Sequence, residues 1–222
     1  AKTDPEIGST TIQKVAMLLL HTEPGFRTKN ILVANLVYES RDFNNFSEQR
    51  YLQERARTQA LNEKILACPF IEYHQSCYES IIEKTYGTNY INAKGESAYL
   101  NIMYVSPQFF KMFDIDIEEG SIPEKPERST YVLNRAAMKA LNFSSLGEAA
   151  VVEDNRKRRD ANAPMSTISA VVKDYYNGHL TAGAVPTIYE VSGFGGPRYQ
   201  IAYPEGRKQD LLNYLKETMK GI

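Results

Sequence analysis

The sequence predicts an α+β fold with two lobes, and three observations lead to this prediction. Helical and extended patterns alternate over the first 80 residues, which is typical of helices packed against a sheet. From Ile81 onward the extended segments are short and turn residues are frequent. Beyond residue 175, strands and an amphipathic helix return. We therefore expect an α/β sandwich lobe formed by residues 1–85 and 176–222, with a β-rich lobe of residues 86–175 inserted between them.

The composition limits the class of protein. Of the 222 residues, 42% are hydrophobic and 11% are aromatic, which is enough for a folded core. The formal net charge of −1 removes the general attraction to polyanions that nucleic-acid-binding proteins use, so we expect no nucleic acid as a partner. The longest purely apolar run, residues 15–20, is far shorter than the roughly 20 residues that cross a bilayer. We expect the chain as it stands to be soluble.

The terminal segments carry the patterns of the first lobe. Helices are predicted over residues 10–23, 47–66 and 208–220, and strands over residues 31–38, 70–78, 187–191 and 199–202. Because residues 31–38 (ILVANLVY) are almost entirely apolar, they are predicted to form a central strand that is buried on both faces. In the second helix Leu61 and Ile65 share one apolar face. The order of these elements predicts a small α/β sandwich.

The middle of the chain has the pattern of the inserted lobe. Strands are predicted over residues 98–105, 115–117, 130–133, 150–153 and 166–173. Residues 134–142 (NRAAMKALN) contain strong helix formers, and Asn134 is expected to cap that helix. Residues 153–160 (EDNRKRRD) carry basic residues bracketed by acidic ones between two predicted strands. We expect a solvated hairpin loop there rather than a binding patch for an acidic partner or for lipid headgroups.

Residues 104–120 (YVSPQFFKMFDIDIEEG) are the most informative stretch. Ser106 is expected to accept hydrogen bonds from backbone amides at the start of a helical turn, with Pro107 at its first position and Gly120 as the stop. Several large apolar side chains follow within one or two turns, too many to remain in water: Phe109, Phe110, Met112 and Phe113. No titratable pair, metal triad or nucleophile lies in this segment, so it favours a packing role over a catalytic one.

Four segments in this order resemble the extracytoplasmic core domain of the MacB-like, FtsX-family ABC transporter permeases. The first is the strand that ends in Val105-Ser106-Pro107 and leads through Phe109-Phe110 to Glu119-Gly120. The others are Tyr131-Val132-Leu133-Asn134 with its helix and Leu146-Gly147, the strand that ends in Val172-Lys173-Asp174-Tyr175, and residues 199–203 with Gly206 and the last helix. Pro24-Gly25-Phe26 is similar to the segment after the family's first membrane span. The resemblance covers most of the chain.

The resemblance has departures and implications. Arg135 stands where an acidic residue is usual, Ser121 where an arginine often follows the glycine, and Asn142 where a glycine is common. The family architecture implies a two-lobed MacB-like periplasmic core domain, with membrane spans before residue 1 and after residue 222. It also implies a place on the periplasmic face of the inner membrane, a cytoplasmic ABC ATPase, a second permease copy and an envelope accessory protein as partners, and no cofactor.

Sequence signals of catalytic and metal sites are weak. His21, His74 and His179 lie far apart with no carboxylate at metal-ligand spacing, and no serine stands in a GxSxG motif. No GxxxxGK[ST] segment occurs, so ATP binding is expected on another segment or polypeptide. Cys68 and Cys77 lack zinc-site spacing, and free thiols are favoured over a disulfide because a predicted strand would hold them apart. We expect no catalytic, cofactor or metal site.

One aromatic turn is a candidate surface for contact with a partner. It surrounds Asn177-Gly178 and contains Tyr175, Tyr176, His179 and Leu180. Exposed aromatic side chains anchor interfaces, although tyrosine also lies half-buried in ordinary sheets. These four residues are therefore the predicted contact site.

The function expected from these observations is that of a non-catalytic extracytoplasmic domain of an ABC transporter permease. It would couple cytoplasmic ATP hydrolysis to substrate export or to work on an envelope partner. Two alternatives stay open: a binding or sensor module that captures a peptide, a lipid or a lipoprotein between its lobes, and, third, a small hydrolase. An apolar cleft between the lobes would favour the module, and turnover of ester or peptide substrates would favour the hydrolase.

Overall fold

The computed structural model describes residues 24–35, 48–78, 80–81, 86–126, 128–176, 183–192 and 198–220. Its helices and strands are, in chain order, β1 (Ile31–Asn35), α1 (Glu48–Leu66), β2 (Tyr73–Cys77), β3 (Gly87–Asn92), β4 (Ser97–Val105), α2 (Phe109–Met112), β5 (Ile117–Gly120), β6 (Thr130–Asn134), α3 (Arg135–Ala140), β7 (Ala150–Glu153), α4 (Asp154–Arg159), β8 (Ser166–Val172), β9 (Thr187–Val191), β10 (Arg198–Ala202) and α5 (Lys208–Lys220). The predicted helix over residues 10–23 lies outside the described residues.

The small lobe consists of β1, β2, β10, α1 and α5. Its strands are antiparallel in the order β1-β10-β2. One face of the sheet is covered by α1 and α5, whose side chains share a core with Tyr199 and Ile201 of β10: Leu61, Ile65, Leu211 and Leu215. In each helix the two core residues are four positions apart, which puts them on the same face. Both helices lie where the sequence predicts them.

The predicted central position of β1 is wrong. This strand lies at the edge of the small sheet, and Val33 is 48% exposed. The central strand is β10, in which Tyr199, Gln200, Ile201 and Ala202 are all buried. An apolar run indicates that a segment is suited to a buried strand. Its position in the sheet depends on which distant segment pairs with it. Here the last strand of the chain returns between the first two.

The large lobe contains β3 to β9 and α2 to α4. Its strands follow the order β5-β8-β6-β9-β4-β3-β7. Because β7 also pairs with β8, through Ala150 with Thr167 and Val151 with Ser166, six strands form a closed ring, and β5 is added alongside β8. The pairs β4–β9 and β6–β8 are parallel, and the others are antiparallel. Together with the small lobe, this sheet confirms an α+β fold with two lobes.

One strand lies in a different lobe from the predicted one. Strand β9, which follows the expected boundary at residue 175, lies between β4 and β6 and pairs with both. Residues 187–191 thus belong to the large sheet rather than to the terminal-segment lobe. The division of the chain near residues 85 and 175 otherwise stays a prediction.

Two apolar cores lie on opposite faces of the large sheet. The first contains Met103 and Val105 of β4, Tyr189 and Val191 of β9, and the phenylalanines of the α2 region. The second contains Leu100 and Ile102 of β4, Leu133 of β6 and Ile188 of β9, closed by Ala137, Met138 and Leu141 of the α3 region. Because side chains alternate along a strand, neighbours such as Ile102 and Met103 belong to different cores. The large sheet is therefore buried on both faces.

Two strands of the large lobe differ from the prediction. Strand β3 (GTNYIN) was not predicted, because it has few apolar residues; pairing with β4 on one side and β7 on the other holds it in the sheet. Strand β5 starts two residues later than predicted. Ile115 is instead buried in the turn after α2, where its N–H donates to the carbonyl of Phe110 at 2.9 Å.

The charged segment lies in the connection between the antiparallel strands β7 and β8, as predicted, but it forms a short helix there rather than a loop. Helix α4 starts with Asp154 and carries its basic residues in the last turn, an arrangement that matches the helix dipole. Asp154 and Arg158, four residues apart, form an ion pair at 2.6 Å. Pairs of this spacing stabilise a helical turn by about 0.2–0.5 kcal/mol.

Candidate functional site

The contacts between the small and the large lobe form the candidate functional site. They involve three groups of residues: the phenylalanines around α2, two buried glutamines, and residues 24–30 before β1, called here the linking segment. Each group touches elements of both lobes. These contacts are where the two lobes meet.

The α2 region places three phenylalanines in the first core. Phe109, Phe110 and Phe113 are each at most 2% exposed. The rings of Phe109 and Phe110 are T-shaped with centroids 5.2 Å apart, and Phe109 lies 5.0 Å from Phe113. Ala202 of β10 belongs to the same core, and Tyr73 of β2 packs against it. The predicted inward packing is confirmed, and the core extends into the small lobe.

The start of α2 differs from the prediction. The N-cap residue is Gln108, whose side chain makes no capping hydrogen bond, and Pro107 precedes it. The Oγ of Ser106 is buried and has no hydrogen-bond partner in the part of the chain that the structure describes. Only the Ser106 carbonyl takes part in the turn, accepting from the N–H of Phe109 at 3.0 Å. The predicted Ser106 cap and the predicted first position of Pro107 are both wrong.

Gly120 ends β5 in a conformation that requires glycine. Its φ is +76°, in the left-handed region, and a Cβ atom here would lie 2.1 Å from the carbonyl oxygen of Ser169 on β8. No side chain fits in that space. The predicted special role of this glycine is therefore a close approach between two strands rather than a helix stop.

Two buried glutamines of the small sheet form a polar contact with the large lobe. Nε2 of Gln75 in β2 donates to Oε1 of Gln200 in β10 at 2.5 Å. Oε1 of Gln75 accepts from the backbone N–H of Ser106, at the end of β4, at 3.1 Å. Nε2 of Gln200 is buried without a partner among the described residues, as is Oγ of Ser106. Hydrogen-bonding capacity is thus left unused in the middle of the junction.

The linking segment is held by both lobes. The N–H of Arg27 donates to the carbonyl of Phe113 in the large lobe at 2.7 Å. Its guanidinium pairs with Glu72, beside β2, at 2.7 Å, and donates to the carbonyl of Tyr203, beside β10, at 3.3 Å. The ring of Phe26 lies edge-on to those of Phe113 and Tyr175, with centroids 6.2 and 5.4 Å apart. Arg27 is therefore bonded to both lobes.

Two of the predicted partner-contact residues, Tyr175 and Tyr176, lie beside the linking segment. Tyr175 is 4% exposed, and its Oη donates to Sδ of Met103 at 3.1 Å, so its side chain is in the core rather than on the surface. Burial raises the pKa of Tyr175. Tyr176 is half-buried, and its N–H donates to the carbonyl of Pro24 at 2.8 Å. His179 and Leu180 lie outside the described residues, so contact at this turn stays a prediction.

Residues of the family motifs surround the start of α3. Oδ1 of Asn134 accepts from the N–H of Ala137 at 3.0 Å, which confirms the predicted cap. Oδ1 of Asp174 accepts from the N–H of Ala136 at 3.0 Å, and burial raises the pKa of this carboxyl group. These contacts fix the end of β8 against the first turn of α3. The motif carboxylate at position 174 is thus explained by packing.

Arg135 connects α3 to β5. Its guanidinium pairs with Glu118 and, at 2.7 Å, with Glu119. The hydrogen bond from Arg135 lowers the pKa of Glu119, and the N–H of Leu146 adds to this effect. Arg135 departs from the family pattern, and here it finds two acidic partners on the neighbouring strand.

The catalytic and metal-binding candidates that the structure describes do not form a metal site. Within the described ranges, no group of three or more His, Cys, Asp or Glu side chains could hold a metal ion. His74 is half-buried in β2, and burial lowers its pKa. Cys68 and Cys77 are buried and are not joined in a disulfide. His21 lies outside the described residues, like His179. No helix of the described segments is long and apolar enough to cross a membrane.

Comparison with known proteins finds similarity of fold. No family model matches the sequence, and no curated protein sequence matches it. The chain is similar to a domain of a protein described as a permease from Porphyromonas gingivalis, with 13% identity, a TM-score of 0.47, and coverage of 68% of this chain and 71% of that chain. It is also similar to the extracellular domain of the noncanonic ABC-type transporter YknZ from Gram-positive bacteria, with 9% identity, a TM-score of 0.49, and coverage of 85% and 88%. At this identity, each likeness concerns the fold.

Proposed function

We propose that this chain is a non-catalytic extracytoplasmic domain of an ABC transporter permease, coupling cytoplasmic ATP hydrolysis to substrate export or to work on an envelope partner. The observation that carries the proposal is the junction at Arg27, which is bonded to both lobes just before the chain enters β1. The four ordered sequence motifs support the class of protein. Apolar residues of the first three motifs lie in the two cores of the large lobe, and those of the fourth lie mainly in the core of the small lobe.

The polar part of the junction, formed by Gln75, Gln200 and Ser106, suits an element that changes shape. Separating apolar surfaces costs about 25 cal/mol per Å², whereas hydrogen-bonded groups can exchange partners when two bodies shift. Gln75 binds both Gln200 and Ser106, and the unused Nε2 of Gln200 and Oγ of Ser106 are alternative partners nearby. Such a contact favours two arrangements of similar free energy, which a nucleotide-driven switch needs.

The strand order supports a route for the movement. Strands β1 and β10 are neighbours in the small sheet, and α5 follows β10. The chain before β1 and the chain after β10 therefore both connect to the small lobe. In the proposed permease, flanking membrane spans would act on this lobe, and the junction would pass the displacement to the large lobe.

The proposed surroundings follow from the family resemblance. The domain would lie on the periplasmic face of the inner membrane, with a cytoplasmic ABC ATPase, a second permease copy and an envelope accessory protein as partners. The large lobe, farther from the flanking spans, would meet the accessory protein or the substrate.

The binding-module alternative receives less support from the junction. It calls for an apolar cleft between the lobes. The groove along the linking segment has a volume of about 440 Å³ and is lined by residues 24–29 together with Asp114 and Lys173, so half of its lining residues are charged. A polar groove of this kind does not favour capture of a lipid.

Expression of the full-length gene tests the class of protein. The tagged protein would be expressed in its natural host and purified from the membrane in mild detergent. Protease added to the periplasm would report the side of the membrane on which this domain lies. We expect membrane spans on both sides of the domain, co-purification of an ABC ATPase, and cleavage from the periplasmic side. A span-free gene product that purifies without an ATPase would contradict the proposal.

A further inference from the structure

A cavity of about 330 Å³ opens at one end of the strand ring in the large lobe. All six strands of the ring contribute side chains to its wall, so it lies at the mouth of the ring rather than between two elements. Its floor is apolar, formed by Ile102 and Val151 of the second core. Cavities of this size accommodate small organic groups.

One carboxylate of the cavity lies between two tyrosines. Glu190 of β9 is the register partner of Tyr104 on β4 and of Tyr131 on β6, and all three side chains line the cavity. Ser129 Oγ donates to Oε1 of Glu190 at 2.7 Å and is the single hydrogen-bond donor to this carboxylate among the described residues. An acidic residue at an inward-facing position between aromatic neighbours is unusual unless it has a charged partner.

A second carboxylate repeats the arrangement on the other side. Glu153 of β7 is the register partner of Tyr90 on β3, and both line the cavity. Tyr86 and Tyr104 approach each other with their Oη atoms 3.1 Å apart. Four tyrosines and two carboxylates thus surround the space, against one basic side chain in the wall, Arg156, which is exposed.

The two carboxylates raise the pKa of neighbouring tyrosines. Burial raises the pKa of Tyr131, and the charge of Glu190 raises it further. Burial raises the pKa of Tyr90 as well, and Glu153 adds to the shift. Negative charge in the cavity therefore comes from the two glutamates, and the tyrosines stay neutral. Neutral tyrosine rings attract cations through their faces.

We propose that this cavity binds an organic cation, an ammonium or guanidinium group on a short aliphatic chain. The glutamates supply the opposite charge, the tyrosine rings supply faces for the cation, and the floor of Ile102 and Val151 takes the methylene groups. The bound cationic group belongs either to a free amine or to a lysine or arginine side chain of a polypeptide. This inference concerns the large lobe alone and does not depend on the proposed transport function.

Titration calorimetry on the 222-residue chain tests the proposal. The probes are butylamine as a free amine, Nα-acetyl-lysine methylamide as a side chain, and the norleucine and glutamate methylamides as neutral and acidic counterparts. We expect the two cations to bind and the counterparts to bind at least about tenfold more weakly, because a charge-assisted hydrogen bond contributes that much. A preference for the lysine derivative would assign the site to a polypeptide, and a preference for butylamine to a free amine.

Two variants and a control complete the test. Glu190→Gln keeps the shape of the side chain and removes its charge, so cation binding should weaken about tenfold or more. Glu148→Gln, on the exposed turn before β7, should leave binding unchanged. If Glu190→Gln lowers the folded fraction in a thermal scan, Glu153→Gln is measured instead, and it should weaken cation binding by the same factor. Absence of cation binding, equal binding of the norleucine derivative, or unchanged affinity in the folded glutamine variants would overturn the proposal.

Discussion

The backbone N–H of Ser106 donates to Oε1 of Gln75 at 3.1 Å and so joins the end of β4 in the large lobe to the middle of β2 in the small lobe. Nε2 of the same glutamine binds Gln200 on the central strand of the small sheet. A single side chain that is 2% exposed thus serves both lobes. Its replacement should disturb the junction more than any exposed residue does.

Gln75→Ala should lower the free energy of unfolding by about 1–3 kcal/mol, because it leaves the Ser106 N–H and the Gln200 amide without their partner. Urea unfolding followed by circular dichroism measures the change. Gln59→Ala, at an exposed position of α1, is the matched control, and its free energy of unfolding should stay within about 0.5 kcal/mol of the wild-type value. Equal stability of the two variants would contradict the assigned role of Gln75.

Phe109→Ala and Phe110→Ala should each lower the free energy of unfolding by about 3–5 kcal/mol, because each removes a fully buried ring and leaves a cavity. The aromatic control is Tyr99→Ala, on an exposed position of β4, with an expected loss below about 1 kcal/mol. Thermal and urea unfolding of all three variants give the comparison. Wild-type stability in both phenylalanine variants would remove their role in holding the core together.

Gly120→Ala should destabilise the chain by at least about 1–3 kcal/mol, since alanine is strained at a φ of +76° and its Cβ would meet the Ser169 carbonyl. Gly147→Ala is the control, because a Cβ there meets nothing within 4 Å and the φ is not left-handed. The midpoint of urea unfolding reports both. A tolerated alanine at position 120 would show that β5 does not approach β8 this closely.

Arg135→Met should reduce stability at neutral pH and lose this effect in acid. The pKa of Glu119 is lowered from its ordinary value of 4.5, so its contribution is present above that pH and is lost as the pH falls through the lower, folded-state pKa. The difference in unfolding midpoint between wild type and variant should therefore shrink below pH 4.5. A difference that stays constant from pH 7 to about pH 3 would argue against the ion pair.

Features encoded by short segments could be predicted from the sequence. The apolar faces of α1 and α5 follow from residues four apart, and the cap at Asn134 follows from its place before a run of helix formers. Strand β7 has the predicted bounds. In each case the stabilising contact lies within a few residues of the pattern that predicts it.

Features that depend on distant pairing could not be predicted in this way. The central place of β10, the closure of β7 onto β8 and the position of β9 in the large sheet are set by partners far away in the chain. The candidate site has the same origin, since Gln75 and Gln200 meet across two strands. A polar residue at an inward position of an alternating strand, as Gln75 is in YHQSC, is the signal that marks such a contact.

The central claim is that movement between the lobes couples ATP hydrolysis to work outside the membrane. A pair of cysteines across the junction can test it: His74→Cys on β2 of the small lobe and Gln108→Cys before α2 of the large lobe, where the N–H of His74 donates to Oε1 of Gln108 at 3.4 Å. The matched control pair is Asn89→Cys and Tyr99→Cys, exposed register partners on β3 and β4 within one lobe. Native Cys68 and Cys77 are buried in both cases.

The decisive measurement is transport by the full-length permease after treatment with a short bismaleimide, alongside co-purification of the ATPase. Lobe coupling predicts that the pair across the junction abolishes transport while the complex stays assembled, and that the pair within one lobe leaves transport intact. Full transport by a permease whose lobes are demonstrably cross-linked would contradict the account.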